Sequence, residues 1–363
     1  MSQRNYRAAI VGTGGIATVH ARAIAASGGR ASLVAVADVD LARAKEFASA
    51  WNVRRAHASL SDLLRDGEVD LVHLCTPPLA HAPQALECLR AGVTALVEKP
   101  PTLSLAELDT LIEAERHGAA RVATVLQHRF GAGAVRLRRL QEAGELGRPL
   151  LATCHTQWYR DADYYAVPWR GTWESEGGGP TMGHGIHQFD LLMSVLGPWR
   201  EVTAVAARQA RDVDTEDVSM ALVTFESGAV ATVVNSVVSP RQTSQLRFDY
   251  EHATVEVEHL YGYTDDDWSI TPAPGHDTVA GLWQHGHTTE PSGHGGWLRT
   301  VLDALDRGEA PPVTTGDTRR TMEFIAALYA SAFTGERVRS GQITAGHPFA
   351  QRMDGTGAPW RTA

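Results

Sequence analysis

Apolar and polar residues in the first third of the chain alternate in blocks. Arg7–Val11 is a short apolar run of the kind shown by a strand buried on both faces. A glycine cluster follows, and then His20, Ala21, Ile24 and Ala25 recur at helical spacing. The pattern repeats with a strand at Leu33–Ala37, helices over 41–51 and 59–65, and a strand at Asp70–Leu74. A helix over 80–91, a strand at Thr94–Val97, a helix over 104–117 and a strand over 121–125 complete the series. Strands and helices alternating through short loops predict an α/β fold with a parallel, doubly wound sheet, whose ligands sit at the carboxyl ends of its strands.

After Val125 the pattern changes. Gln127-His128-Arg129 closes the first domain, and a helix over 134–143 stops at Gly144. Residues 154–173 carry six aromatics: Trp158, Tyr159, Tyr164, Tyr165, Trp169 and Trp173. Beyond Pro198 the chain turns to β, with strands over 201–208, 218–225, 229–238 and 245–250. Glu226-Ser227-Gly228 is a hairpin turn, and 253–258 continues in near-alternation. Helices over 297–304 and 321–333 remain. The tail over 346–363, with two prolines and three glycines, reads as an extended arm or disorder.

A chain of 363 residues has room for about two domains with sizeable cores. The net charge of −9 and the lack of a Lys/Arg run exclude a nucleic-acid partner, which needs a basic face. Cys75, Cys88 and Cys154 have no CxxC spacing and read as reduced, buried thiols. No basic-then-apolar leader and no span of about 20 apolar residues occur, so a cytoplasmic protein without a membrane partner is expected.

Chemistry enters at Gly12-Thr13-Gly14-Gly15-Ile16-Ala17, between the first strand and its helix. This is the GxGxxA form of the dinucleotide fingerprint. Gly12 makes the tight turn, Gly14 admits the pyrophosphate, and Ala17 lets helix and strand pack closely. Gly15 and Ile16 open a helix whose unpaired N–H groups and positive end suit phosphate. Asp38, 26 residues after Gly12, ends the second strand. A carboxylate there binds the adenine ribose hydroxyls and repels a 2′-phosphate, which favours NAD over NADP. Two further strand ends carry polar groups: Thr76-Pro77-Pro78, with His81 close by, and Glu98-Lys99-Pro100.

Together these pieces resemble the Gfo/Idh/MocA family of nicotinamide-dependent oxidoreductases. Trp169-Arg170, Gly177–Asp190, Tyr329-Ala330-Ser331-Ala332 and Thr334-Gly335 extend the match over nearly the whole chain. The resemblance implies a Rossmann domain over 1–127. It implies an α+β domain over 128–363, built on a large, mostly antiparallel open sheet that pairs subunits into a homodimer or homotetramer. It makes Lys99 the catalytic lysine, whose ammonium stabilises alkoxide character on the reacting oxygen. It places Thr76, Pro77, Glu98, Gln127, Trp169 and Arg170 at the cofactor. His81 either shapes the cofactor pocket or simply stands near a helix start.

The Gly177–Asp190 stretch packs five glycines, two histidines and a carboxylate into fourteen residues. Glycines let a backbone approach a ligand closely, and at helical spacing His184, His187 and Asp190 share one face. His187 matches the family's acid/base histidine, and Asp190 takes a supporting place in the substrate region. Where the family commonly carries an aspartate, four residues before that histidine, this chain has Gly183. His184 is the residue that can stand in for it. Trp158 and Tyr159 suit stacking on a sugar's C–H surface, although the same aromatics also suit core or interface packing. His184-x-x-His187-x-x-Asp190 is the best metal candidate, but no recognised metal spacing occurs, and no metal is expected. Asp265-Asp266-Asp267 reads as a solvated loop. The leading function is NAD-dependent oxidation of a secondary alcohol of a sugar, cyclitol or related polyol. The alternatives are an NAD-dependent glycosidase working by elimination and a non-catalytic NAD-binding sensor.

Overall fold

The computed structural model describes residues 4–360, which form two compact units. One holds the chain up to residue 125 together with 294–319; the other holds 126–293 and the chain from 320 onward. Residues 294–319 thus belong with the first unit, whereas a single boundary at 127/128 assigns them to the second.

Six parallel strands form the first sheet: β1 (Tyr6–Val11), β2 (Ala31–Ala37), β3 (Arg55–His57), β4 (Leu71–Leu74), β5 (Thr94–Val97) and β6 (Val122–Thr124). Their order, β3-β2-β1-β4-β5-β6, reverses between β1 and β4, and such a switch point is where doubly wound sheets bind ligands. Leu71–Leu74 is wholly buried, as a continuous apolar run on a sheet covered on both faces should be. Helices over 60–65 and 105–115 begin one residue later than their pattern suggests, because Ser59 and Ser104 cap them. The helix His294–Asp306 is tied to this unit by Tyr6, which donates to Asp306 (3.0 Å), and by Arg30, which pairs with Asp303 and Asp306. Strand β3 escapes the sequence pattern because all three of its residues are only half-buried.

The second sheet has eight strands: β7 (Pro149–Tyr159), β8 (Trp199–Ala207), β9 (Val218–Phe225), β10 (Val230–Ser236), β11 (Val238–Tyr250), β12 (Ala253–His259), β13 (Trp268–Pro272) and β14 (Val338–Arg339). Their order is β13-β12-β11-β7-β10-β9-β8-β14, antiparallel throughout except for β7 against β10. Alternation divides the faces. Cys154, Ala204, Val223, Val233, Leu246 and Val255 point into the core, with the helix Ile186–Leu196 packed on β7 and β11. On the opposite face Leu151, Val205, Met220, Leu222 and Val230 are exposed.

Two expectations are corrected in this unit. The tail is neither extended arm nor disordered over its described part: Pro348–Gln351 is a helical turn, and Phe349, Ala350, Met353 and Ala358 are buried. Trp360 donates its indole N–H to the carbonyl of Asp214 (2.9 Å). Residues 361–363 lie outside the described residues. Asp265 is not solvated either. It is buried, pairs with the buried Arg136 and accepts the N–H of Thr288, while Asp267 caps the turn at Thr264.

Candidate active site

At the switch point Gly12 has φ +84°, and a Cβ there would lie 2.8 Å from the backbone of Cys75 and Thr76. Only glycine lets the turn after β1 pass this close to the end of β4. Gly14 caps the helix Gly15–Ala25, and a Cβ on Gly14 or Gly15 would meet open space, which leaves that helix start accessible to a phosphate. Asp38 ends β2 and is 5% exposed. It accepts from Thr13 N–H (2.8 Å), Thr13 Oγ1 (2.9 Å) and Asp40 N–H (2.9 Å), and pairs with both Nε and Nη2 of Arg43 (3.1 and 2.6 Å). Burial opposes its charge, but the guanidinium and the backbone donors outweigh burial and hold its pKa at about 2.

Glu98, Lys99 and Pro100 follow β5, with a cis peptide between the last two. Glu98 Oε1 accepts from Nε2 of His20 and from Nε2 of His294, each at 2.9 Å, and Oε2 accepts the backbone N–H of Lys99 at 3.2 Å. With His20 donating from Nε2, its Nδ1 accepts from Nδ1 of His73 at 2.8 Å. Burial keeps His20 and His73 from charging, while the two ring N–H donors overcome burial and hold Glu98 well below the usual carboxylate range. His20, Glu98 and His294 are also spaced as metal ligands are, but 2.9 Å from both rings to one oxygen is ordinary N–H···O geometry. Glu98 therefore spends both oxygens inside the protein, fixing the segment that carries Lys99. His81 is likewise a clamp. Its Nδ1 faces the carbonyl of Pro100 and its Nε2 that of Thr76, each at 2.7 Å; the neutral ring donates to one of them according to its tautomer, and both nitrogens point into the protein. Burial lowers the His81 pKa against the pull of those two carbonyls. Thr76 Oγ1 donates to Gln84.

In the second unit the glycine-rich stretch has a reason that spacing does not reveal. A Cβ on Gly178 would lie 2.2 Å from the Tyr329 hydroxyl, one on Gly179 2.0 Å from the Glu216 carbonyl, and one on Gly185 2.5 Å from Asn235 Oδ1. These glycines admit neighbouring protein, not a ligand. Buried Glu216 accepts the N–H groups of Gly179 and Thr181 (3.0 Å each) and the Tyr329 hydroxyl (2.9 Å), which anchors the turn. Burial raises the Glu216 pKa in spite of these donors. At Gly183 a Cβ would meet open space.

The turn delivers His187 to the first turn of the helix Ile186–Leu196, 4% exposed. Its ring stacks on His128 at 4.8 Å between centroids and stands 6.2 Å from Tyr261. His128 is fixed through Nε2 to the Tyr261 carbonyl (2.8 Å) and through its own carbonyl, which accepts from the Tyr263 hydroxyl. Asp190, one turn along, is fully buried and holds Arg129 through both oxygens. Both of its oxygens are thus engaged within the protein. His184 is half-buried, edge-on to Trp158 at 5.0 Å and 6.2 Å from Tyr164. Trp158 donates to Ser244 Oγ (2.9 Å), and Tyr159, next along the strand, is exposed. Arg170 lies over the rings of Tyr164 and Trp169 and pairs with Glu176. Gln127 is buried in the turn Gln127–Phe130.

Residues 6–125 match the model of the oxidoreductase family with an NAD-binding Rossmann fold, and 134–277 that of the GFO/IDH/MocA C-terminal domain. The chain belongs to the Gfo/Idh/MocA family. Inositol 2-dehydrogenase 4 of Saccharopolyspora erythraea is 33% identical over 239 residues, 64% of this chain and 67% of that protein. D-glucoside 3-dehydrogenase of Escherichia coli is 26% identical over 93% of this chain and 98% of its own. The WlbA dehydrogenase of Chromobacterium violaceum, solved with NADH and UDP-GlcNAcA, superposes with TM-score 0.83 at 27% identity, over 95% of this chain and 98% of that one. Like these relatives, this Gfo/Idh/MocA member is an NAD-dependent oxidoreductase acting on a CH–OH group. Gly12 and the open helix start fit that cofactor, and Asp38 stands at the strand end beside them with both oxygens engaged within the protein. Sequence reasoning missed His20, His73 and His294 around Glu98, and Arg129, His128 and Glu216 around the second half-site. Each lies far along the chain from its partner and carries no local spacing signal.

Proposed function

We propose that the protein oxidises a secondary alcohol of a sugar, cyclitol or related polyol, with Lys99 and His187 as its catalytic residues. Bound NAD⁺ supplies the hydride acceptor. His187 takes the hydroxyl proton. Its buried ring, stacked on His128 and carried by a helix that Asp190 pins to Arg129, has little freedom to leave that orientation. Lys99, on the segment that Glu98 and His81 fix, places an ammonium beside the oxygen that gains negative charge. Trp158 and His184 form the aromatic wall against which the sugar packs, with His184 in the role that Gly183 vacates.

The observation that carries this reading is His187: a buried histidine at a helix start, with a histidine stacked on it and a bidentate ion pair one turn away. NAD⁺ reduction over a panel of sugars and cyclitols tests it. Lys99→Ala and His187→Ala should each lower kcat/KM by about 10²–10⁴-fold on the best substrate. Unaltered turnover in both variants would overturn the assignment. We also assign the exposed Val205-Met220-Leu222-Val230 face to pairing of subunits, as a homodimer or homotetramer. Three buried free thiols suit a reducing, cytoplasmic setting. Among the described residues no helix is long and apolar enough to cross a membrane.

A further inference from the structure

Among the arginines that stand on or next in chain to these aromatic residues, two carry their own counter-charge, and a third, Arg211, lies over the Tyr159 ring at 4.8 Å, outside the Trp158–His184 pair. Arg129 is held by Asp190, and Arg170 by Glu176. Arg160 is different. Its guanidinium lies over the Trp158 ring at 4.7 Å and the Tyr164 ring at 5.0 Å, and no carboxylate among the described residues comes within 4.0 Å of it. Neighbouring Asp161 caps Tyr164 N–H, and Asp163 is exposed. Of its donors, Nη1 reaches the Tyr159 carbonyl at 3.0 Å, while Nε is buried without a hydrogen-bond partner. With no carboxylate on it, the guanidinium carries a positive charge that an oxygen anion reaching its outer N–H groups would meet.

The surroundings bring this donor to the aromatic wall. Trp158, on which Arg160 rests, is edge-on to His184 and 6.2 Å from Tyr261, which in turn stands 6.2 Å from His187. Arg160 thus lies against Trp158 itself, two ring contacts from the acid/base histidine. We propose that Arg160 anchors an anionic substituent of the substrate, remote from the carbon being oxidised, so that the preferred substrate is an acidic sugar and not a neutral one. The chemistry required is an oxyanion presenting two acceptors to the fork; a sugar carboxylate and a sugar phosphate both offer it. This inference rests on the reading of His187 as the acid/base residue.

The test uses the full chain with NAD⁺ and a set of neutral sugars, each paired with its uronate and its 6-phosphate. For at least one series the wild type should favour an anionic member by about tenfold or more in kcat/KM. A winning uronate identifies the carboxylate, and a winning phosphate the phosphoryl group. In Arg160→Met that preference should fall toward parity, mainly through a rise of about 10–100-fold in KM for the anionic sugar. Arg160→Lys, which keeps the charge and loses the fork, should fall between. Faster turnover of the neutral member in every series, or the same preference in Arg160→Met, would overturn the proposal. Calorimetric titration of the NADH complex separates the two readings. Uronate or phosphate binding that Arg160→Met weakens, without turnover of any sugar, would sink the dehydrogenase assignment and keep the anion subsite. No binding of either anion would remove the subsite itself.

Discussion

Asp38 has both oxygens occupied by groups that favour its charge, and the most consequential of them is Arg43. A carboxylate at this strand end would disfavour a 2′-phosphate, whereas the guanidinium holding it would welcome one. Removing the acid should therefore change the preference as well as the affinity. In Asp38→Ala, KM for NAD⁺ should rise about tenfold or more, and the NADP⁺/NAD⁺ ratio of kcat/KM should swing toward NADP⁺. Initial-rate kinetics with both cofactors check this. At the same scale the sequence was informative for Asp38, because a strand end after the fingerprint is a fixed place for that carboxylate. It was not informative for Glu98. Nothing in Glu98-Lys99-Pro100 announces that the glutamate is consumed by His20 and His294, since those residues meet it only through the winding of the sheet.

Among the elements, the glycine-rich turn is the part most sensitive to small changes. Glu216 anchors it from another strand region, and Tyr329 closes it from a helix more than a hundred residues away. Gly179 faces backbone that cannot swing aside: a methyl group there would lie 2.0 Å from the Glu216 carbonyl. Gly179→Ala should lower stability by about 1–3 kcal/mol or more, read as a reduced denaturant midpoint at constant slope. The strands and helices themselves were largely legible from their periods. Among what the periods missed were β13, the helix Thr278–Gln284, β3, too short and too half-buried to show a period, and β7. Alternation in β7 is masked because its buried positions are Ala152, Cys154 and Thr156 rather than large apolar residues.

For the whole molecule, buried histidines link stability to pH. Burial lowers His20, His73 and His259, the last to about 4. Between the unfolded value of about 6.5 and these lowered values, the unfolded chain binds more protons, so stability rises with pH. It is fully present above about pH 6.5 and is lost as pH falls toward 4. His259→Gln keeps a polar neighbour for Gln188 and removes one titrating ring, so it should flatten the fall in urea-derived stability between pH 6.5 and 4.5. The exposed sheet face sets a second expectation at this scale. Leu222, 64% exposed, lies beside Thr203 and Thr232 in register at the middle of the face. Leu222→Asp should lower the mass seen by light scattering while leaving the far-ultraviolet circular dichroism as it was.

The sequence by itself determined the two kinds of sheet and the dinucleotide turn with a carboxylate at the next strand end, and it marked Glu98-Lys99-Pro100 and Gly177–Asp190 as candidate segments. These are local signals, because backbone periodicity, tight turns and strand-end chemistry act over a few residues. Tertiary structure alone decided what holds those segments in place. It brought His294 to Glu98, Asp190 to Arg129, Glu216 and Tyr329 to the glycines, and Trp360 to Asp214. Each of these pairs a buried polar group with a partner distant in the chain. Burial makes such a partner necessary, but only the folded path of the backbone determines which residue supplies it.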